Sequence, residues 1–183
     1  MLGSWQQKIR FLKSTAAAAV AFVLYADQAA NAQFKDPPVT VERIEITRPG
    51  VYEIQTHGSV SDQSISTGSK VEVRGYKNLQ SGSRIHARAG TVIGAELNIV
   101  GTPRRAKVPI KVVWRYPAPG LTNPDTKVAK TFDEYVDTKT IGEKFPVFWG
   151  LTQSWHLVPG TWTLEVWHGE RKLGTQSFEL MVP

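Results

Sequence analysis

Beyond residue 38 the chain alternates apolar and polar positions with a period of two, broken about every ten residues by glycine or proline. Residues 107–116 place Val108, Ile110, Val112 and Trp114 on one side and Lys111, Val113 and Arg115 on the other, the pattern of a half-buried strand. Residues 161–168 repeat it through Trp162, Leu164 and Val166. After a turn at Gly169-Glu170-Arg171, residues 173–182 return through Phe178, Leu180 and Val182. In residues 39–47, Val39 and Val41 alternate and then Ile44 and Ile46 alternate on the shifted phase, which is how a β-bulge reads.

The remaining segments are shorter or less regular. Pro49-Gly50 predicts a turn, with a second strand opening at Val51, Tyr52 and Ile54. Serine-rich residues 59–70 predict a loop, and residues 71–79 a short strand weakened by Gly75. Residues 84–89 and 91–100 read as a strand or hairpin pair around Gly90. Residues 117–125 form a turn-rich loop, 127–138 a strand or short helical turn, and 145–151 a short aromatic strand. No stretch past residue 32 carries the i, i+3, i+4, i+7 spacing of an amphipathic helix. Seven to nine short strands separated by turns predict an all-β, antiparallel two-sheet sandwich with little helix, and periodicity alone also admits a barrel or jelly roll.

The first 32 residues stand apart. Lys8, Arg10 and Lys13 lead into an uncharged run over residues 14–26, followed by Ala30-Asn31-Ala32. Charge, a short apolar run and a small-x-small site make a secretory signal cleaved after Ala32. The run is too short for a membrane span, which takes about 20 apolar residues. Residues 33–183 are then expected as one exported β-sandwich domain, ordered over about 38–182, soluble in a periplasm or outside the cell. The absence of cysteine removes disulfides, thiolate metal sites and cysteine nucleophiles, so the core must hold the fold unaided.

Two segments carry a resemblance. One is Val41-Glu42-Arg43-Ile44-Glu45-Ile46-Thr47-Arg48-Pro49-Gly50-Val51-Tyr52-Glu53. The other is Trp155-His156-Leu157-Val158-Pro159-Gly160-Thr161-Trp162-Thr163-Leu164-Glu165-Val166, closing through Gly169 to Phe178-Glu179-Leu180. Together they resemble a family of small bacterial exported proteins known only as a domain of unknown function. The resemblance implies an immunoglobulin-like β-sandwich over most of residues 38–182 and brings no catalytic residue with it.

Charge adds the strongest functional signal. Between Lys70 and Arg115 stand Lys70, Arg74, Lys77, Arg84, Arg88, Arg104, Arg105, Lys107, Lys111 and Arg115, opposed only by Glu72 and Glu96. Loss of Lys8, Arg10, Lys13 and Asp27 with the signal lowers the formal net charge from +6 to +4, so this segment is a local patch. Arg104, Arg105, Lys107, Lys111 and Arg115 form the candidate basic patch for an acidic protein, an anionic polysaccharide or a lipid head group. Lysine and arginine on edge strands also serve solubility alone.

Candidate chemistry is sparse. His57, His86, His156 and His168 show no metal-ligand spacing, and no nucleophile elbow occurs. Asp133, Glu134 and Asp137 are the one dense acidic group; as a strand, Asp133 and Asp137 share a face. No pattern asks for a metal or cofactor, and none reads as nucleic-acid binding. Trp114 and Trp162 are expected in the core, whereas Trp149, Trp155 and Trp167 are the candidate aromatic patch. The expected function is a non-enzymatic exported module that binds a protein or anionic envelope component through a basic face. The alternatives are a carbohydrate-binding module using those tryptophans and, further off, a hydrolase.

Overall fold

The computed structural model describes residues 37–62 and 64–183; the expected secretory signal and the cleavage site expected after Ala32 lie outside them. Eleven strands occur among the described residues: β1 (Thr40–Ser61), β2 (Ser69–Ser81), β3 (Arg84–His86), β4 (Thr91–Thr102), β5 (Lys107–Arg115), β6 (Leu121–Thr122), β7 (Ala129–Lys130), β8 (Phe132–Thr140), β9 (Lys144–Leu151), β10 (Gly160–His168) and β11 (Arg171–Met181), with a 3₁₀ turn at Ser154–His156. One antiparallel sheet has the order β2-β1-β4-β9. The other has the order β3-β11-β10-β5-β8, antiparallel except where β3 runs parallel to β11, and β6 pairs with β7 apart from both. The fold is the all-β antiparallel sandwich that the alternation predicts. The eleven strands exceed the seven to nine expected, and the two that no segment reading marked separately are β6 and β7, pieces of two residues too short to show a period.

The core lies between the two sheets. Ile93, Ala95, Leu97 and Ile99 of β4 and Phe145, Val147, Trp149 and Leu151 of β9 meet Val108, Ile110, Val112 and Trp114 of β5, Trp162, Leu164 and Val166 of β10, and Phe178 and Leu180 of β11. Each large apolar side chain so buried contributes roughly 1.5–3 kcal/mol, and this is what replaces disulfides in a chain without cysteine. Trp114 stacks on Phe178 at 5.8 Å, and Tyr116 packs edge-on against Trp162 at 4.8 Å.

Three local expectations need correction. Pro49-Gly50 is no turn: Gly50 pairs with Gly94 on one side and Ser81 on the other, and β1 passes through as a bulged strand with Arg48 at φ 51°. The segments around Gly90 are no hairpin. β3 pairs with Glu179–Met181 of β11 while β4 joins the other sheet, so the chain changes layer at Gly90, where φ is +90°. The serine-rich loop is confined to residues 62–68, because β1 and β2 pair out to Ser61 and Ser69. The phase slip between Val41 and Ile44 is a real register shift against β4.

Pairing of β1 with β4 ends at Tyr52. Beyond it β1 and β2 continue as a two-stranded ribbon whose tip returns to β8. There Ser66, Asp133 and Tyr116 are buried together, and Lys70 lies 4.3 Å above the Tyr135 ring.

Candidate anion-binding pole

The structure divides the five predicted basic residues into two groups. Lys111 and Arg115 sit on the outer face of the second sheet, beside β10 and β8. There they enter a network centred on Glu165, which is only 5% exposed. Arg115 Nε lies 3.2 Å and Lys172 Nζ 2.7 Å from its carboxylate, and Trp167 Nε1 donates to it at 3.1 Å. Burial pushes the Glu165 carboxyl up, but the bonds from Lys172, Arg115 and Trp167 outweigh it and hold the group below its ordinary value. Lys111 faces Glu134 at 3.9 Å, and Lys111 and Lys172 both lie over the Trp167 ring, at 5.3 and 5.0 Å. This face is largely neutralised from within.

Arg104, Arg105 and Lys107 lie elsewhere, at the end of the sandwich where β4 passes into β5. A second turn, residues 141–143 between β8 and β9, interlocks with theirs. Arg105 N donates to Ile141 O at 3.0 Å, Ile141 N to Ala106 O at 2.9 Å and Gly142 N to Ile99 O at 2.9 Å. Arg104 packs over Gly142, where even a methyl group would meet the guanidinium at 3.3 Å. This second turn adds Lys144, which the sequence reading did not include, and the carboxylate Glu143. Arg104, Arg105, Lys107 and Lys144 are exposed, and none of them enters an ion pair among the described residues. The Lys144 charge also acts on Glu45, across β4, and four cations against Glu143 and this one neighbouring carboxylate make the pole a surface that attracts anions.

Arg105 holds φ 67°, a left-handed conformation that costs an L-residue with a long side chain roughly 1–2 kcal/mol. Glycine or asparagine would serve the turn more cheaply, yet the position presents a cation.

The aromatic candidates do not form one surface. Trp149 is 7% exposed, on the inner face of β9 against Trp114, Tyr116 and Trp162. Trp155 is half-buried on the 3₁₀ turn, 4.0 Å from the His156 ring. Trp167 is on the outer face of the other sheet with lysines over its ring. The expectation of an exposed Trp149–Trp155–Trp167 patch is therefore corrected: the strand carrying Trp149 is apolar on both sides, and its parity follows from pairing with β4 rather than from composition.

The acidic group is likewise taken up. Asp133 and Asp137 share the inner side of β8, as expected. Asp133 accepts from Ser66 N and Oγ at 2.6 and 2.5 Å and faces Lys130 at 3.5 Å. Asp137 meets Lys139 at 2.7 Å and Lys70 at 3.3 Å. The histidines are dispersed: His57 faces Glu72 at 3.3 Å, His156 is buried, and His168 contacts Pro109 O at 2.9 Å.

Comparison with known proteins agrees with the architecture. Residues 40–180 match the family model described as Domain of unknown function (DUF3859), and the chain belongs to that family. A crystal structure of an immunoglobulin-like protein from Pseudomonas aeruginosa is similar to it, with a TM-score of 0.53 and 22% identity over 79% of this chain and 98% of that one. At that identity the likeness establishes the immunoglobulin-like fold alone. No curated protein matches the chain.

Proposed function

We propose that this member of the family is an exported, non-catalytic binding module that holds an anionic component of the cell envelope against its basic pole. The observation that carries the reading is the pole itself. Two interlocked turns gather Arg104, Arg105, Lys107 and Lys144 in exposed positions free of ion pairs among the described residues, while Lys111 and Arg115 are neutralised around Glu165 and Glu134. Export rests on the tripartite pattern of residues 1–32. The non-catalytic part rests on how the titratable groups are used: Asp133 and Asp137 fasten the ribbon, Glu165 anchors a surface network, and the histidines lie far apart in the fold.

Retention on immobilised polyphosphate at increasing salt tests the reading. The protein is expected to bind and to elute at a salt concentration that falls when Arg104 and Arg105 become glutamate. Elution unchanged in that variant would overturn the assignment of the pole. Mass spectrometry of the protein recovered from expressing cells should find Gln33 at the N-terminus, and an intact Met1 would overturn export by cleavage.

A further inference from the structure

The basic pole has an apolar neighbour. β1 opens at Thr40, which pairs with Thr102 of β4, two residues before Arg104. Val39, immediately before this pair, is 52% exposed, and Pro37 and Pro38 beside it are exposed as well. An exposed valine on a proline-stiffened lead-in therefore stands at the rim of the cationic turns. The opposing carboxylates are few: Glu42 and Glu45 are drawn toward Arg43 at 3.9 and 2.8 Å, with Glu45 also facing the Lys144 charge, and Glu143 remains against the four cations.

From this juxtaposition we infer that the basic pole is a peripheral membrane-docking surface, with Arg104, Arg105, Lys107 and Lys144 on the phosphates of anionic lipid head groups and Val39 reaching the interface between them. The inference rests on the functional reading above and narrows its anionic component to the lipid surface. Exposed cations on the turns and strand ends of the pole suit head groups that move laterally, since each lipid phosphate can adjust to its partner. Each lysine or arginine near an anionic bilayer strengthens binding about fivefold, so the pole as a whole should discriminate strongly between anionic and zwitterionic membranes. Val39 adds a contribution that a soluble polyanion cannot draw on.

Co-sedimentation with phosphatidylcholine vesicles, with and without about 30 mol% phosphatidylglycerol, tests this on protein purified from expressing cells, with polyphosphate retention run alongside. The expected result is binding to the anionic vesicles alone, weakened about fivefold by Lys107→Gln and more than tenfold by Arg104→Glu with Arg105→Glu. Val39→Ser, which removes the apolar side chain without changing charge, should weaken vesicle binding and leave polyphosphate retention unchanged. Circular dichroism confirms that each variant is folded, and the single exposed Lys107 substitution keeps the test open should the double variant misfold. Retention on polyphosphate without vesicle binding, or equal binding to both vesicle types, overturns the lipid inference and leaves the broader reading standing. Binding to neither probe overturns both.

Discussion

The amide and the hydroxyl of Ser66 donate to one carboxylate oxygen of Asp133, at 2.6 and 2.5 Å, across the gap between the ribbon tip and the second sheet. Both residues are buried, with Asp133 only 2% exposed. Asn123 Nδ2 donates to Ser66 O at 3.1 Å and Lys130 Nζ to Ser64 O at 2.7 Å, so the contact is the centre of a polar clasp. A two-stranded ribbon is marginal on its own, and this clasp is what returns its tip to the sandwich.

Ser66→Ala removes one donor from a buried charge and should cost about 1.5–3 kcal/mol. Denaturant unfolding measures the loss, and hydrogen exchange should quicken through residues 62–68 well before global unfolding. Exchange there that is no faster than in the parent protein would show that the ribbon is fixed by something else.

Gly94 lies opposite Gly50 in the β1–β4 ladder, on the outer face of its sheet. A Cβ at Gly94 would stand 2.4 Å from Phe148 Cδ1 and 2.3 Å from Val147 O. This gap lets Phe148 lie down against Tyr52, with ring centroids 4.7 Å apart, and beneath Tyr76 at 5.3 Å. The Tyr52 hydroxyl donates to Arg48 O at 2.5 Å, tying the bulge to the same cluster. Gly94→Ala should cost about 2 kcal/mol or more, because the carbonyl it strikes belongs to the β4–β9 ladder. Gly150→Ala meets only Thr152 Cγ2, at 3.4 Å, and should stay within about 1 kcal/mol of the parent. Equal unfolding midpoints for the two variants would refute the packing argument.

Arg105→Gly separates stability from binding. Glycine takes φ 67° without the Cβ penalty, so the variant should gain about 0.5–1 kcal/mol while elution from polyphosphate shifts to lower salt. A variant less stable than the parent would mean that the Arg105 side chain itself supports the turn.

How far this was legible in the sequence follows from where each signal is stored. β5, β10 and β11 were readable because one face of each is buried and the other wet, which writes a local period of two. The bulge near Val41 was readable for the same reason, as a change of phase. β2 was read too short because its ribbon half is exposed on both faces, leaving little contrast. β3 was misread because Ile85 is buried by pairing with Leu180 of β11, a partner that no local pattern announces. At the candidate site, Arg104 and Arg105 were visible because they are consecutive. Lys144 was not, since it reaches the pole through the β4–β9 ladder and the interlocked turns. The neutralisation of Lys111 and Arg115 was equally hidden, because Glu165 and Lys172 come to them across strands. Trp149 shows the limit of composition: Phe148 beside it is also aromatic, and the register with β4, which sets Trp149 opposite Ile93 and Phe148 over Gly94, decides which ring turns outward.

Acid should destabilise the protein in two stages. Burial holds the His156 imidazole below its ordinary value near 6.5, against the opposing effects of the Gly150 backbone and the Asp133 charge. The unfolded chain therefore binds a proton at this residue before the folded one does, and stability falls as pH drops from about 7 through 6. Glu165, held below its ordinary value of 4.5 by Lys172, Arg115 and Trp167 against burial, works at lower pH. Its contribution is complete above about 4.5 and is lost as pH falls through the folded value. Asp137, beside Lys139 and Lys70, acts in the same direction. Unfolding midpoints by near-ultraviolet circular dichroism should decline first between about pH 7 and 5 and again below about 4.5. His156→Gln should flatten the upper decline and leave the lower one. Glu165→Gln should do the reverse, with a change in tryptophan emission as Trp167 loses its acceptor. An upper decline that persists in His156→Gln would assign it to another group.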